Sequence, residues 1–133
     1  MGSRQRRQRE EGTSAIELVL YMPLLMVAII LTVQFALVYL GNQAVSAAAR
    51  EAARTARVTG DAGQGQTRGY DYARDLGRGL LSGVDVQVRP VNNDTEMRAV
   101  VSADGEQLLP FIRAPKLNES VQGPIEKFIE DDG

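Results

Sequence analysis

The chain predicts an α+β protein: a long N-terminal transmembrane α-helix with an extracytoplasmic extension, then a small distal module with a short helix and a β-hairpin or small antiparallel sheet. Three observations carry that expectation. Leu18 to Leu40 contains no charged residue. The alanine-rich stretch after it keeps helical spacing, and from Val84 the apolar period changes from helical to two.

As a helix, Leu18 to Leu40 extends ~34 Å, enough for a hydrocarbon core of about 30 Å with some tilt. A water-soluble core cannot hide so much apolar surface in a chain of 133 residues. The run is also longer than the ~7 to 15 apolar residues of a secretory signal, although Val45-Ser46-Ala47 has the small residues of a signal cleavage site. Pro23 removes a backbone donor and kinks or locally opens the helix, a defect that packing neighbours can satisfy in a membrane. Gln34, deep in the run, is a candidate for a hydrogen bond across a helix interface.

The flanks of the run predict its orientation. Arg4, Arg6, Arg7 and Arg9 crowd the amino terminus, which favours retention of that end in the cytoplasm. Arg50, Arg54 and Arg57 beyond the other end make the bias modest. Glu17 stands at the lip of the run, where a carboxylate is expensive. At the centre of a membrane helix a charge costs about 2.5–3.5 kcal/mol, and less near the end, so Glu17 is a functional-site candidate that needs a partner.

Past Leu40 the helix continues through Ala44, Ala47, Ala48, Ala52 and Ala53, with Gly41 as a local cost of ~1 kcal/mol. Arg50, Arg54 and Arg57 form one stripe, Glu51 reaches Arg54 at i+3, and the alanine face, Ala44 and Ala48 included, suits close helix approach. Gly60, Gly63, Gly65 and Gly69 predict a flexible loop over residues 59–69. Gly63-x-Gly65 is not a dinucleotide motif, because Arg68 stands where a third glycine belongs. Tyr70 to Leu81 then reads as a short amphipathic helix that packs through Ala73, Leu76 and Leu80. Val84, Val86 and Val88 alternate with Asp85, Gln87 and Arg89 until Pro90 limits the ladder. Asn92-Asn93-Asp94 turns the chain, and Met97 to Ser102 runs back. Leu108 to Ile112, with Pro110 at its centre, is expected as a third short strand or a tethering loop that can touch the membrane surface. Ile125, Phe128 and Ile129 are spaced for one helical turn before an acidic end, Glu130-Asp131-Asp132.

Composition narrows the function classes. The chain has no cysteine and no histidine, which removes disulfides, thiolate metal sites and the commonest general base. No carboxylate pair is spaced for acid/base chemistry. The expectation is therefore no enzyme, no cofactor and no metal, and nothing suggests nucleic-acid binding. Two sequons, at Asn93 and Asn118, read as chance matches.

Gly12-Thr13-Ser14-Ala15-Ile16-Glu17, with Leu18 to Leu25 after it and Gln43 to Arg54 beyond, resembles the TadE-like pseudopilin family of tight-adherence pilus systems, relatives of the type IV pilins. The resemblance covers roughly residues 6 to 57. It implies a bacterial inner-membrane precursor with a basic cytoplasmic leader over residues 1–12, a membrane and stalk helix over 13–58, and a distal module over 70–133. It further implies a prepilin peptidase that cuts after Gly12, leaving Thr13 as the new amino terminus one helical turn from Glu17. Thr13 stands where many processed pilins carry a bulky apolar residue. Removal of the leader takes four arginines and two glutamates and moves the net charge from −2 to −4. The implied partners are the membrane, other pilin or pseudopilin subunits, the peptidase and the tight-adherence secretion machinery. The alternative is an uncleaved single-pass anchor whose extracytoplasmic module binds an envelope partner.

Overall fold

A computed structural model describes residues 2–126, with side chains described from Ser14 onward. The side chains of Arg4, Arg6, Arg7, Arg9, Gly12 and Thr13, and the whole of Phe128, Ile129 and the acidic end, lie outside the described residues. The chain divides into two units, Met1–Phe35 and Ala36–Gly133, and the first helix, α1 (Gly2–Thr59), runs through both. The second unit adds α2 (Ala62–Leu76) and the strands β1 (Leu81–Val91), β2 (Glu96–Gly105) and β3 (Lys116–Pro124). This is the expected α+β arrangement, with the sheet completed to three strands.

The first unit is helix alone. From Ser14 to Phe35 its apolar side chains point outward on every side, with Val19 70% and Phe35 73% exposed. Pro23 lies inside the helix and lines a shallow apolar groove with Val19, Met22, Leu25, Met26 and Ile29. Thr32 hides its polarity by donating its hydroxyl to the Ala28 carbonyl at 2.8 Å.

In the second unit the helical face of α1 becomes one-sided. Ala44, Val45, Ala48, Ala49, Ala52, Ala53 and Ala56 are all buried. Their partners on the sheet are the inward residues of the three strands: Val86 and Val88, then Met97, Ala99, Val101 and Ala103, then Leu117. The sheet is a simple antiparallel meander in the order β1-β2-β3, with Val88 opposite Ala99 and Ala99 opposite Val121. Its period-two alternation is complete on the central strand β2, where every second residue is buried.

The loop expected over residues 59–69 is a helix from Ala62. Asp61 caps its start, accepting from the backbone N–H groups of Gly63 at 2.8 Å and Gln64 at 3.2 Å. Two of the glycines that suggested flexibility, Gly65 and Gly69, serve close approach instead. A Cβ on Gly65 would lie 2.6 Å from the Ala56 Cβ, and one on Gly69 would lie 2.6 Å from the Ala52 Cβ. Residues 65 and 69 thus face 56 and 52 in an antiparallel seam in which only small residues fit. The helix ends earlier than expected, at Leu76. Gly77 caps it, and its N–H bonds to the Ala73 carbonyl at 2.8 Å. Ala73 is buried as expected, whereas Leu76 is 47% exposed and Leu80 lies in the turn that leads to β1.

Two more expectations are corrected and one alternative is resolved. Pro90 does not end the ladder, because β1 is an edge strand that tolerates a missing donor, and pairing continues through Pro90–Met97 to Val91–Glu96. Of the two forms expected for Leu108 to Ile112, the segment takes the loop, between β2 and β3, and not the strand. The third strand is Lys116–Pro124, which reads as tail in sequence because Glu119 and Gly123 occupy two of its four inward positions. An inward glutamate on an edge strand also discourages edge-to-edge pairing. At the hairpin tip Asn92, Asn93 and Asp94 all adopt positive φ, of 52°, 57° and 62°, a conformation that asparagine and aspartate tolerate better than other side chains. On β1, Gly83 at φ 58° absorbs an extra residue between Ser82 and Asp85 as a β-bulge.

The seam makes a prediction against helix propensity. Gly69→Ala gains about 1 kcal/mol of intrinsic helix preference but overpacks a site with no room, at a cost of roughly 1–3 kcal/mol. Amide hydrogen exchange of the full chain in mild detergent should therefore speed up across Ala62–Leu76. Thr67→Ala, on the exposed side of α2, should leave it unchanged or slow it.

Candidate functional site

The candidate site is the apolar part of α1 and its single charge. Among the described residues from Ser14 to Ala49, Glu17 is the only one with a charged side chain. It lies exposed between Ile16, 64% exposed, and Leu18, 63% exposed. An apolar surface of this size on every side of a helix is far beyond what a water-soluble monomer leaves open, so lipid or other helices must cover it. The uncharged apolar stretch Leu18 to Leu40 is ~34 Å long, and α1 is long and apolar enough to cross a membrane. In that setting the Glu17 carboxylate has no intramolecular cation within one helical turn on its carboxyl-terminal side: Leu18 to Tyr21 are all uncharged.

The four packing candidates separate. Pro23 is exposed on the apolar helix, and Gln34 is half-buried. Ala44 and Ala48, 5% and 0% exposed, are consumed inside the chain's own core. The alanine face does support close helix approach, and the helix it accommodates is α2.

The Glu51–Arg54 pair expected from the i, i+3 spacing is present, and sequence reading missed that Arg68 of α2 joins it in a polar clasp around that seam. Glu51, whose side chain is 17% exposed, accepts from Arg54 at 3.1 Å on its own helix and from Arg68 of α2 at 3.3 Å. Arg68 also sits over the Tyr72 ring, 5.9 Å from its centre. Arg57 leaves the basic stripe altogether: its Nε donates to the Pro124 carbonyl at 2.8 Å, and its own carbonyl accepts from the Glu126 N–H at 3.0 Å, which fastens the end of β3 to α1. The available signals were Asp61-x-x-Gln64, a capping pattern, and Gly65-x-x-x-Gly69, a small-residue spacing. Among the described residues no cluster of acidic side chains is arranged to hold a metal ion.

With the geometry in place, the comparison with known families is direct. Residues 12–54 match the TadE-like protein family. The match begins at Gly12, includes Glu17 and the apolar helix, and ends inside the alanine face. No curated protein and no solved structure gives a significant match. The TadE-like segment supports a protein associated with a tight-adherence pilus, and its apolar helix fits a single-pass membrane protein. The TadE-like family is a structural, pilus-associated family.

The clasp predicts an acid-sensitive seam. The Arg54 hydrogen bond, opposed by desolvation and helped by Arg68, lowers the Glu51 pKa below its ordinary 4.5. The N–H groups of Gln64 and Gly63 and the Gln64 side chain hold Asp61 below its ordinary 3.8. A carboxyl whose folded pKa is depressed stabilises above its unfolded pKa, and that contribution disappears as pH falls through the folded value. Exchange protection of α2 should thus be flat above pH ~5 and weaken below about 4.5. Glu51→Gln should flatten the upper part of that acid dependence and cost no more than about 1 kcal/mol at pH 7, since both arginines are solvent-screened.

Proposed function

We propose that the protein is a TadE-like pseudopilin, a membrane-anchored structural subunit that assembles into a tight-adherence-type pilus or a related secretion pseudopilus. The precursor is held in the bacterial inner membrane with its amino terminus inside, and a prepilin peptidase cuts it after Gly12. The observation that carries this reading is Glu17: among the described residues from Ser14 to Ala49 it is the only charged side chain, and it lies inside a segment whose family match begins at Gly12. An unpaired charge in lipid is costly, and a neighbouring subunit's Thr13 ammonium removes that cost by pairing with it. Pairing of this kind sets axial register as well as attraction. The apolar surface from Ser14 to Phe35 supplies the packing area, first to lipid and then to other subunits.

Glu17→Ala and Glu17→Gln should leave membrane insertion intact or improved and abolish pilus formation. Immunoblots of membrane and sheared-surface fractions read both quantities. Pili at normal levels in either variant would exclude the charge-pairing role.

Orientation has its own test. The chain has no native cysteine. In cells without the prepilin peptidase, so that residue 3 is retained, Asn93→Cys, at the hairpin tip, should react with a membrane-impermeant thiol reagent on spheroplasts, and Ser3→Cys should not. Labelling at residue 3 alone would invert the topology and remove the basis for assembly outside the cytoplasm.

A further inference from the structure

The loop between β2 and β3 is placed where the apolar part of α1 ends. Within the unit Ala36–Gly133, a Cβ built on Gly41 meets Leu117 Cδ1 at 3.0 Å and Leu81 Cδ2 at 3.3 Å, with the Leu80 carbonyl 3.7 Å away. The starts of β3 and β1 therefore lie against Gly41. The base of the loop is tied to the same level: the Gly105 N–H donates to the Pro115 carbonyl at 2.8 Å, and the Glu106 N–H donates to the Leu80 carbonyl at 3.0 Å. The segment held between these ties is apolar and exposed. Phe111 is 93% exposed and Ile112 50%, with Pro110 beside them. Tyr39 and Leu40, immediately before Gly41, are 64% and 50% exposed.

A phenylalanine and an isoleucine open to water on one loop are unfavourable, at about 25 cal/mol for each Å² of apolar surface. The run of large apolar residues on α1 ends at Leu40, and Gly41, Asn42 and Gln43 follow, so the boundary between hydrocarbon and water falls at the level to which the loop is tied. Tyr39 is the kind of aromatic residue that populates that boundary. Arg78, Arg113 and Lys116, all exposed, are the basic residues of the same end of the module.

We propose that residues 106–115 form an interfacial membrane contact, in which Phe111 and Ile112 enter the acyl boundary while Arg113 and Lys116 meet lipid phosphates. The loop then makes a second, monotopic attachment beside the spanning helix and fixes the module against the bilayer before any assembly. The proposal rests on α1 as a membrane span and does not require cleavage or pilus formation.

The test uses single-cysteine variants of the full chain, labelled with an environment-sensitive fluorophore and reconstituted at about one chain per vesicle in phosphatidylethanolamine and phosphatidylglycerol. With Ile112→Cys, emission should shift to the blue of the Asn93→Cys label and be quenched by lipids that carry a nitroxide near the headgroup. Adding Phe111→Ser, which touches little else, should reduce both effects. An Ile112 label as polar and unquenched as the Asn93 label would overturn the proposal. A blue shift that appears only at high protein density would also overturn it, in favour of contact with a second copy. A Val27→Cys label reports on the span itself: failure of deep nitroxide lipids to quench it would remove the proposal together with the membrane reading, whereas quenching there but not at Ile112 would remove the proposal alone.

Discussion

The antiparallel seam between α1 and α2 is the contact on which the distal module depends. Three alanines, Ala48, Ala52 and Ala56, meet Gly65 and Gly69 at a separation that leaves no space for one more methyl group. That closeness lets two short helical faces and a three-stranded sheet share a core built largely from alanine and valine, with Val45 and Val101 as its largest fully buried side chains. Small residues offer little apolar area each, so density of contact has to compensate. The capping of Asp61 and the clasp of Glu51 by Arg54 and Arg68 then hold the two helices in register.

The same helix obeys a different rule before Phe35. Between Ser14 and Phe35 large apolar side chains cover every side, and the requirement is solubility in lipid rather than fit to a sheet. Glu17 is the exception to that rule, and an exception of this kind calls for a functional reason. A structural ion pair within the chain would serve, yet the following helical turn offers no cation. The pairing proposed above supplies a cation from a neighbouring subunit.

Much of this organisation was legible in the sequence because its signals are local. The uncharged run, the alanine spacing, the alternation of Val84, Val86 and Val88 and the Asn92-Asn93-Asp94 turn each declare one element. What was not legible depends on tertiary context. Glycines at 60, 63, 65 and 69 mean a loop when read alone and a tight helix contact when two of them face Ala52 and Ala56. The strand Lys116–Pro124 has only Leu117 and Val121 as inward apolar residues, too weak a pattern to stand out without its partner β2. Arg57 looked like part of a solvated stripe because its acceptor, the Pro124 carbonyl, is remote in sequence. At the candidate site, Glu17 was recognisable from charge and hydropathy alone. The fate of Ala44 and Ala48 was not, since a small-residue face has the same sequence whether it packs inside a chain or between chains.

The account turns on an ammonium group that exists only if the chain is cut between Gly12 and Thr13. Intact-mass spectrometry of the protein extracted from membranes that contain a prepilin peptidase tests this most directly. The account predicts a mature species that begins at Thr13, and its disappearance when Gly12 is replaced by valine. A single species that retains residues 1–12 in both cases would contradict it and leave Glu17 without its partner.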